Sequence, residues 1–532
     1  GAATRTNDNL AGRLVQSVNE DELFTSPEQD LELVRAVLAD LTPEAVAAAL
    51  QSAFAGKGPL LFRSAQKDPI GVAALETQLE ASFAKPLAAR AAEVAVAWPY
   101  DTFGPDGRVV LRKFDQELGA TLVTFANGTR LAVKQTAFEK DRIHINVALG
   151  NGRAGAANEL VHALWAAELM PMGGTGKLSA TDIQRWGNSG GKLVSAQLQT
   201  GSRAFNLTAI TRPADLASQM QLLAAYARDP GFRPELGDQL AAIGPMVAGQ
   251  VDANPAAVFE REIARLFGGG DSRFNQIPSQ NEIASTKSQD LPGLLRTELA
   301  SAADVTLVGD VDVATAIAAV RSTFAAGKKL AQPASPPVSL TMPQGRGEPY
   351  IVTHASRADQ AFYGTLWAIP DYRSDHSQSY VADVVAAILE ARMVDTVREK
   401  LGMTYSPKAS ATTSIQLPGQ GYLRVSIETP PGNFEAFDSL LMEQLADLAA
   451  KPVSADELER SRKPLVEASL KRLESNAQWT ANLATAWREP LIRRWMNEET
   501  QGLRQVTAAE VQAFVAKRLA SAKPVVVIAK AK

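Results

Sequence analysis

The sequence predicts an α+β protein with two successive homologous lobes. Each lobe is expected to be a mostly antiparallel sheet with helices packed on it, and the tail of a further lobe is expected to precede them. Three observations carry this reading. A helix-then-strand ending recurs along the chain. A run of strands, a long helix, two strands and several helices occurs twice. A Pro/Gly-rich segment, "AQPASPPVSLTMPQGRGEP", separates the two runs.

The ending is clearest in "LTPEAVAAALQSAFAGKGPLLF" (41–62) and "VTAAEVQAFVAKRLASAKPVVV" (506–527). They align without a gap, pairing Thr42 with Thr507, Val46 with Val511, Leu50 with Val515, Phe54 with Leu519 and Pro59 with Pro524. Each begins with threonine as a helix N-cap, continues with apolar residues every four positions, and ends with a proline opening an apolar strand. "LPGLLRTELASAADVTLVGDVD" (291–312) is a looser copy. A lobe therefore closes near residue 60, and residues 1–66 are expected to be the tail of a preceding lobe. Residues 67–100, Ala- and Glu-rich and helix-prone, read as a linker. The start "GAATRTNDNL" lacks the basic-then-apolar pattern of a signal peptide and reads as a mature, trimmed or dissected terminus.

The first full lobe is expected over 101–330. Its hairpin "ATLVTFANGTRLAVKQT" turns at Asn127-Gly128, and "RIHINVAL" adds a strand. A helix is expected at about 156–170 and another from Ser179, where "SATD" is a fair N-cap. "GKLVSAQLQTGSRAFNLTAIT" gives two strands around a Thr-Gly-Ser turn. Two helices, the strand "VTLVGDVD" and a further helix complete the lobe. The linker is placed at 331–349 and the last lobe at 350–532, with "SQSYVADVVAAILEARMVDTVREKL" as its long helix.

Composition narrows function mainly by exclusion. At roughly 100–200 residues per domain the 532 residues need several units. A net charge of −4 gives no electrostatic reason to expect nucleic acid. No run approaches the ~20 apolar residues a membrane span needs. The chain has no cysteine, which removes disulfides, thiolate zinc sites and cysteine nucleophiles together. Its histidines, His144, His162, His354 and His376, lie too far apart in sequence to form the usual nucleus of a zinc site.

One stretch stands out. In "VREKLGMTYSP" (397–407), Arg398 falls in the last turn of the long helix, Gly402 stops the helix, and Tyr405 follows in an extended segment. Arginine there suits the helix dipole, and tyrosine suits a strand, so a purely structural reading stands on its own.

This stretch, the 506–527 ending and "VTLVGDVD" in that order resemble the pitrilysin/insulinase-type (M16) zinc metallopeptidases. The resemblance covers nearly the whole chain and implies that 101–330 and 350–532 are the family's lobes three and four, the zinc-free C-terminal half. It implies that Arg398 and Tyr405 are donors to substrate and transition state, and that Val394 walls a substrate pocket. Zinc would then be bound by the missing half or a partner subunit, and this chain alone would be inactive. The family's inverted His-x-x-Glu-His motif is absent from this chain. Counting back from Gly174-Thr175 places Trp165 and Leu169 where its histidines would be and Glu168 where its glutamate would be. Expected partners are a zinc-bearing M16 half and unfolded peptide, in the periplasm rather than the cytoplasm. A non-catalytic scaffold subunit and a free-standing peptide-binding protein remain as alternatives.

Other motifs carry less. Glu159 and His162 have the Glu-x-x-His spacing of di-iron bundles, but no second copy occurs. "GGTGK" (173–177) fails as a phosphate loop because Leu178 stands where Ser or Thr should be.

Overall fold

A computed structural model of the chain describes residues 7–56, 61–64, 70–86, 96–268, 271–332, 336–401 and 407–532. It divides into two compact units, Gly1–Ala95 and Val96–Lys532.

The described part of the first unit is helical: α1 (Asn7–Asn19), α2 (Pro27–Ala39), α3 (Pro43–Ala53) and α4 (Gly71–Phe83). The Ser26 hydroxyl caps α2 and Gln29 returns the bond, a full capping box. Thr42 caps α3 as the repeat predicts. Of the strand half of this first copy, the described residues 61–64 are in no strand. A strand needs hydrogen-bonded neighbours, and the described residues of this unit supply none.

In the second unit, the first lobe contains β1 (Val109–Asp115), β2 (Ala120–Phe125), β3 (Arg130–Gln135), β4 (Ile143–Leu149), α5 (Ala180–Asn188), β5 (Gln197–Thr200) and β6 (Phe205–Thr211). There follow α6 (Leu216–Arg228), α7 (Pro234–Asp252), α8 (Pro255–Gly268), α9 (Gln280–Ser285), α10 (Asp290–Leu299), β7 (Asp304–Gly309) and α11 (Val313–Arg321). The second lobe contains β8 (Tyr350–His354), β9 (Phe362–Ala368), α12 (His376–Leu401), β10 (Lys408–Thr413) and β11 (Gly421–Glu428). It closes with α13 (Phe434–Ala450), α14 (Ala455–Arg472), α15 (Asn476–Ala486), α16 (Leu491–Gln505), α17 (Ala508–Phe514) and β12 (Val525–Ala531).

The two sheets share one topology. The first runs β1-β2-β3-β7-β4-β6-β5 and the second β10-β11-β9-β12-β8. In each, the lobe's closing strand, β7 or β12, inserts in the middle. It lies parallel to one neighbour (β3 or β8) and antiparallel to the other (β4 or β9). The repeated ending therefore delivers a central strand. β7 is buried at every position, so "DVTLVG" reads as apolar without alternation. The Asn127-Gly128 turn forms with Gly128 at φ +99°. β1, an exposed extension of the first sheet, has no apolar alternation to announce it in "VVLRKFD".

The segment expected as a helix near 156–170 is a 3-10 helix, Asn158–Gly173. Its three-residue repeat stacks Val161, Leu164, Ala167 and Met170 in one fully buried row. That row satisfies the core without an α turn.

Each sheet has its own lobe's helices on one face and borrows cover for the other. In the first lobe, α6, α11 and the 3-10 helix pack on the home face. The opposite face receives α15 and α16 of the second lobe, where Trp479, Leu483, Ile492 and Met496 meet Leu118, Ala120 and Val308. In the second lobe, α12 and α13 cover the home face. Its other face receives α8 of the first lobe, whose Val258, Phe259, Ile263 and Phe267 meet Leu366, Val525, Val527 and Ala529. Phe259 stacks on Phe362 at 4.7 Å, and Phe267 on Tyr422 at 4.6 Å. Gly364 makes the fit possible, because a Cβ there would lie 2.3 Å from Phe259 Cζ. Between the lobes, 336–349 runs without regular structure, yet Val338, Leu340 and Met342 are buried.

Truncating the seam should therefore destabilise both lobes together. Phe259→Ala is expected to cost about 3–5 kcal/mol in one urea transition seen alike by tryptophan fluorescence and circular dichroism. Two separated transitions, with only the second lobe shifted, would contradict the exchange.

Candidate functional site

The long helix α12 carries two of the three sequence-predicted site residues. Met393 and Val397 face the core with no exposure, while Arg398 is exposed and Val394 only partly buried. Val394 and Arg398, one turn apart, thus share the outward side of the helix. The third residue, Tyr405, lies outside the described residues, as do 402–406 around it. Beyond them β10 runs back along α12: Glu390 accepts from the Ala409 amide at 2.9 Å and pairs with Lys408 at 3.3 Å. The chain reverses direction between Arg398 and this contact.

A second group of polar residues gathers where the lobes meet. Asp304, at the start of β7, is fully buried. Its carboxylate accepts from Arg130 of β3 at 2.6 and 2.8 Å and from Arg488, in the α15–α16 connection, at 2.8 Å. Arg488 also donates to the carbonyls of Ala148, Gly150 and Arg203, and the Arg130 guanidinium lies 5.0 Å over the Trp487 ring. Nearby, Lys134 sits 3.8 Å over Trp479, and Arg493 pairs with Asp115. Sequence reading missed this network. Its one signal was the cluster of three arginines in "WREPLIRR" (487–494), set against a single glutamate in the same segment.

Two cavities open along this junction. The larger, about 870 Å³, is lined by Arg130, Arg203, Arg373, Arg488, Trp487 and Glu489 among others. The smaller, about 500 Å³, is lined by Tyr372, Tyr380, Trp495, Asp383 and Glu499 among others. Burial pushes the Asp383 carboxyl up to about 7; Glu499 adds to this, and Arg472 opposes it.

Residues 300–465 match the family model described as the peptidase M16 inactive domain, a stretch running from β7 into α14. That stretch of the chain is similar to the inactive domain of M16 peptidases. No curated protein sequence matches it. Among solved structures, a mutant of the ferredoxin protease FusC in complex with Arabidopsis ferredoxin is similar at TM-score 0.67 and 16% identity, over 99% of this chain and 58% of that one. The periplasmic protease PqqL from Escherichia coli is similar at TM-score 0.66 and 17% identity, over 99% and 59%. A peptidase M16 inactive domain from Pseudomonas fluorescens gives TM-score 0.60 and 20% identity, over 78% and 98%. The chain thus spans just under three fifths of the length of the first two. At these identities the likeness to the structures is one of fold.

In the first lobe, the positions at which the resemblance sets the zinc motif lie on the 3-10 helix and are occupied by other contacts. Trp165 Nε1 donates to Thr286 Oγ1 at 2.9 Å, Glu168 Oε1 accepts from the Thr200 amide at 2.9 Å, and Leu169 is partly buried. Positions 165 and 169, four apart, fall on different faces of a helix with three residues per turn. Neither side chain carries a metal-ligating atom suited to zinc, so these residues do not fit the ion. The other candidates also have plain structural duties. His162 pairs with Asp290 at 3.1 Å, and His144 with Glu139 at 3.1 Å.

Removing one partner from the buried latch should cost more than breaking an exposed pair. Asp304→Ala is expected to lose about 3–5 kcal/mol by leaving two guanidinium groups without their carboxylate. Arg373→Gln, at a pair to Glu489 that is one third exposed on the arginine side, should lose about 1 kcal/mol or less. Urea midpoints of the two variants check the order, and equal losses would contradict it.

Asp383 gives a pH dependence of definite sign. Its folded pKa is raised, so the folded state holds a proton that the unfolded chain releases above about pH 4. Its stabilising contribution is whole below that point and is lost as pH rises to about 7. Asp383→Asn should therefore gain stability relative to the native protein across this window and hold the gain above it. Parallel pH profiles of the two proteins would contradict the assignment.

Proposed function

We propose that this chain is the zinc-free half of a pitrilysin-type metalloendopeptidase. It would complete a peptide-holding chamber and supply Arg398 and Tyr405 to a zinc site borne by another half or a partner subunit. The observation that carries the reading is the M16 inactive-domain match, joined to a doubled lobe whose α12 presents Arg398 outward beside Val394. The solved relatives it resembles along almost its whole length include two proteases, and both are longer than this chain.

The first unit supports a partner half. Val46, Leu50 and Phe54 are 49%, 59% and 81% exposed, whereas the residues they match in the closing copy, Val511, Val515 and Leu519, are 0%, 0% and 1% exposed. In the closing copy those side chains pack in the second lobe's core. A sheet supplied by the zinc-bearing half would cover the first copy in the same way. Covering one such aliphatic side chain contributes about 1.5–3 kcal/mol.

In this reading zinc supplies the activated water and the electrophilic pull on the scissile carbonyl when it is bound by the partner. This chain's part is to hold the extended peptide and hydrogen-bond the carbonyl as negative charge develops on it. The Arg398 guanidinium offers a planar fork of donors, and the Tyr405 hydroxyl offers one more. Val394, on the same face as Arg398, would bound a side-chain pocket. A periplasmic setting is part of the proposal, on the likeness to PqqL.

Mixing the chain with a zinc-bearing M16 half and following cleavage of an unfolded peptide tests the reading. Cleavage should require both proteins, and Arg398→Ala with Tyr405→Phe should slow it by about 10²–10³. Full cleavage by the zinc half alone would refute the proposal, as would an undiminished rate with the double variant. Those results would favour a scaffold role.

A further inference from the structure

We propose that the larger inter-lobe cavity is a subsite for carboxylate-bearing segments of a bound peptide. The inference rests on the peptide-holding reading above and adds a substrate preference to it.

Charge makes the first argument. Four guanidinium groups, those of Arg130, Arg203, Arg373 and Arg488, stand at the cavity wall, and Glu489 is the carboxylate among the lining residues. Asp304 lies behind the wall and serves two of the four. Among the described residues, four cations therefore face two carboxylates around a space of about 870 Å³. Burial depresses the Arg203 pKa; Glu489 opposes this and the neighbouring Arg373 adds to it.

Hydrogen-bond demand makes the second argument. Trp487 lines the cavity, and its Nε1 is buried without a partner among the described residues. An indole nitrogen can only donate, and guanidinium groups can only donate. Arg203 already donates to the Gln416 and Pro336 carbonyls, so the open donor is the Trp487 indole, which asks for an acceptor, while the cluster of cations favours an anion. A carboxylate is both, and it matches the planar arginine fork. The volume is ample for side chains of an extended peptide, within the ordinary range of ligand pockets.

The smaller cavity supplies the contrast. It shares Ser202 and Gln416 with the larger one and presents Asp383 and Glu499 instead of arginines. Glu499 there is paired with Arg472, and the raised Asp383 carboxyl keeps its proton up to about pH 7, so this cavity offers an acidic segment no cation of its own. Two adjoining cavities, one arginine-rich and one without arginine in its lining, would set the register of a peptide by where its carboxylates fall. The acidic subsite is the part argued here.

The test uses the full chain and labelled peptides of equal length in fluorescence anisotropy. One peptide carries Asp and Glu, one has Asn and Gln at the same positions, and one has Lys. The acidic peptide should bind about 10-fold tighter than the neutral one at low salt, and the gap should close as salt rises. Arg203→Gln with Arg373→Gln should bring the two within about 2-fold. Arg373→Gln alone, at the exposed rim, should narrow the gap partway and guards against a misfolded double variant. Equal binding of acidic and neutral peptides would overturn the subsite and leave the peptide-holding reading intact. So would a preference that survives the double substitution. Inorganic pyrophosphate is the control for a small-anion site. If it binds and no peptide does, both the peptide assignment and the reading beneath it fail.

Discussion

The structure depends on an exchange of cover between two sheets. Neither lobe buries both faces of its sheet with its own helices. α8 leaves the first lobe to lie on β8, β9 and β12, and α15 leaves the second lobe to lie on β4 and β7. The closing strand inserts centrally in each sheet, so its side chains point to both faces and both must be kept from water. The borrowed helices meet that need. The seam is therefore as much core as interface, and the two lobes form one cooperative body.

The same seam decides where charge collects. A helix from one lobe laid on another lobe's sheet brings its flanking polar residues against strand ends and turns. The α15–α16 connection thus places Trp487, Arg488 and Glu489 beside β3, β7 and the β5–β6 turn. Burying Asp304 costs several kcal/mol of solvation, which its contact with two guanidinium groups offsets without a large surplus. Its role is to fix the geometry of the junction more than to stabilise it. The two cavities differ in lining, with four arginines in the larger and Asp383 and Glu499 in the smaller.

Local signals carried most of the fold. Thr507, Ser179 and the Asn127-Gly128 turn act within a few residues, so their caps and turn could be read directly. The duplicated order was legible because each lobe repeats it. What escaped was set by distance or by partners. β1 is exposed and charged, so no alternation marks it. The 3-10 winding of 158–173 answers a core that wants every third residue, while its local sequence looks α-helical. The strand of the first ending needs neighbours that the described residues of its unit do not contain. The helix exchange could not be read from pattern, since the apolar stripe of α8 says that it is covered and not by what. At the site, Arg398 and Val394 lie on the helix face their four-residue spacing predicts, and Tyr405 falls outside the described residues. The Asp304 network joins residues nearly two hundred positions apart, beyond any motif.

The account makes this chain a contributor of binding surface and hydrogen-bond donors, with metal chemistry supplied from outside. Its first lobe has a tryptophan and a leucine where the resemblance sets ligands, and under the proposed function its outward arginine acts on a reacting centre that a partner brings. The most direct measurement is zinc content after equilibration and exhaustive dialysis, for the chain alone and for its complex with a zinc-bearing M16 half. The account predicts no retained stoichiometric zinc on the chain alone and one zinc per complex, held by the partner. Stoichiometric zinc retained by this chain by itself would contradict it.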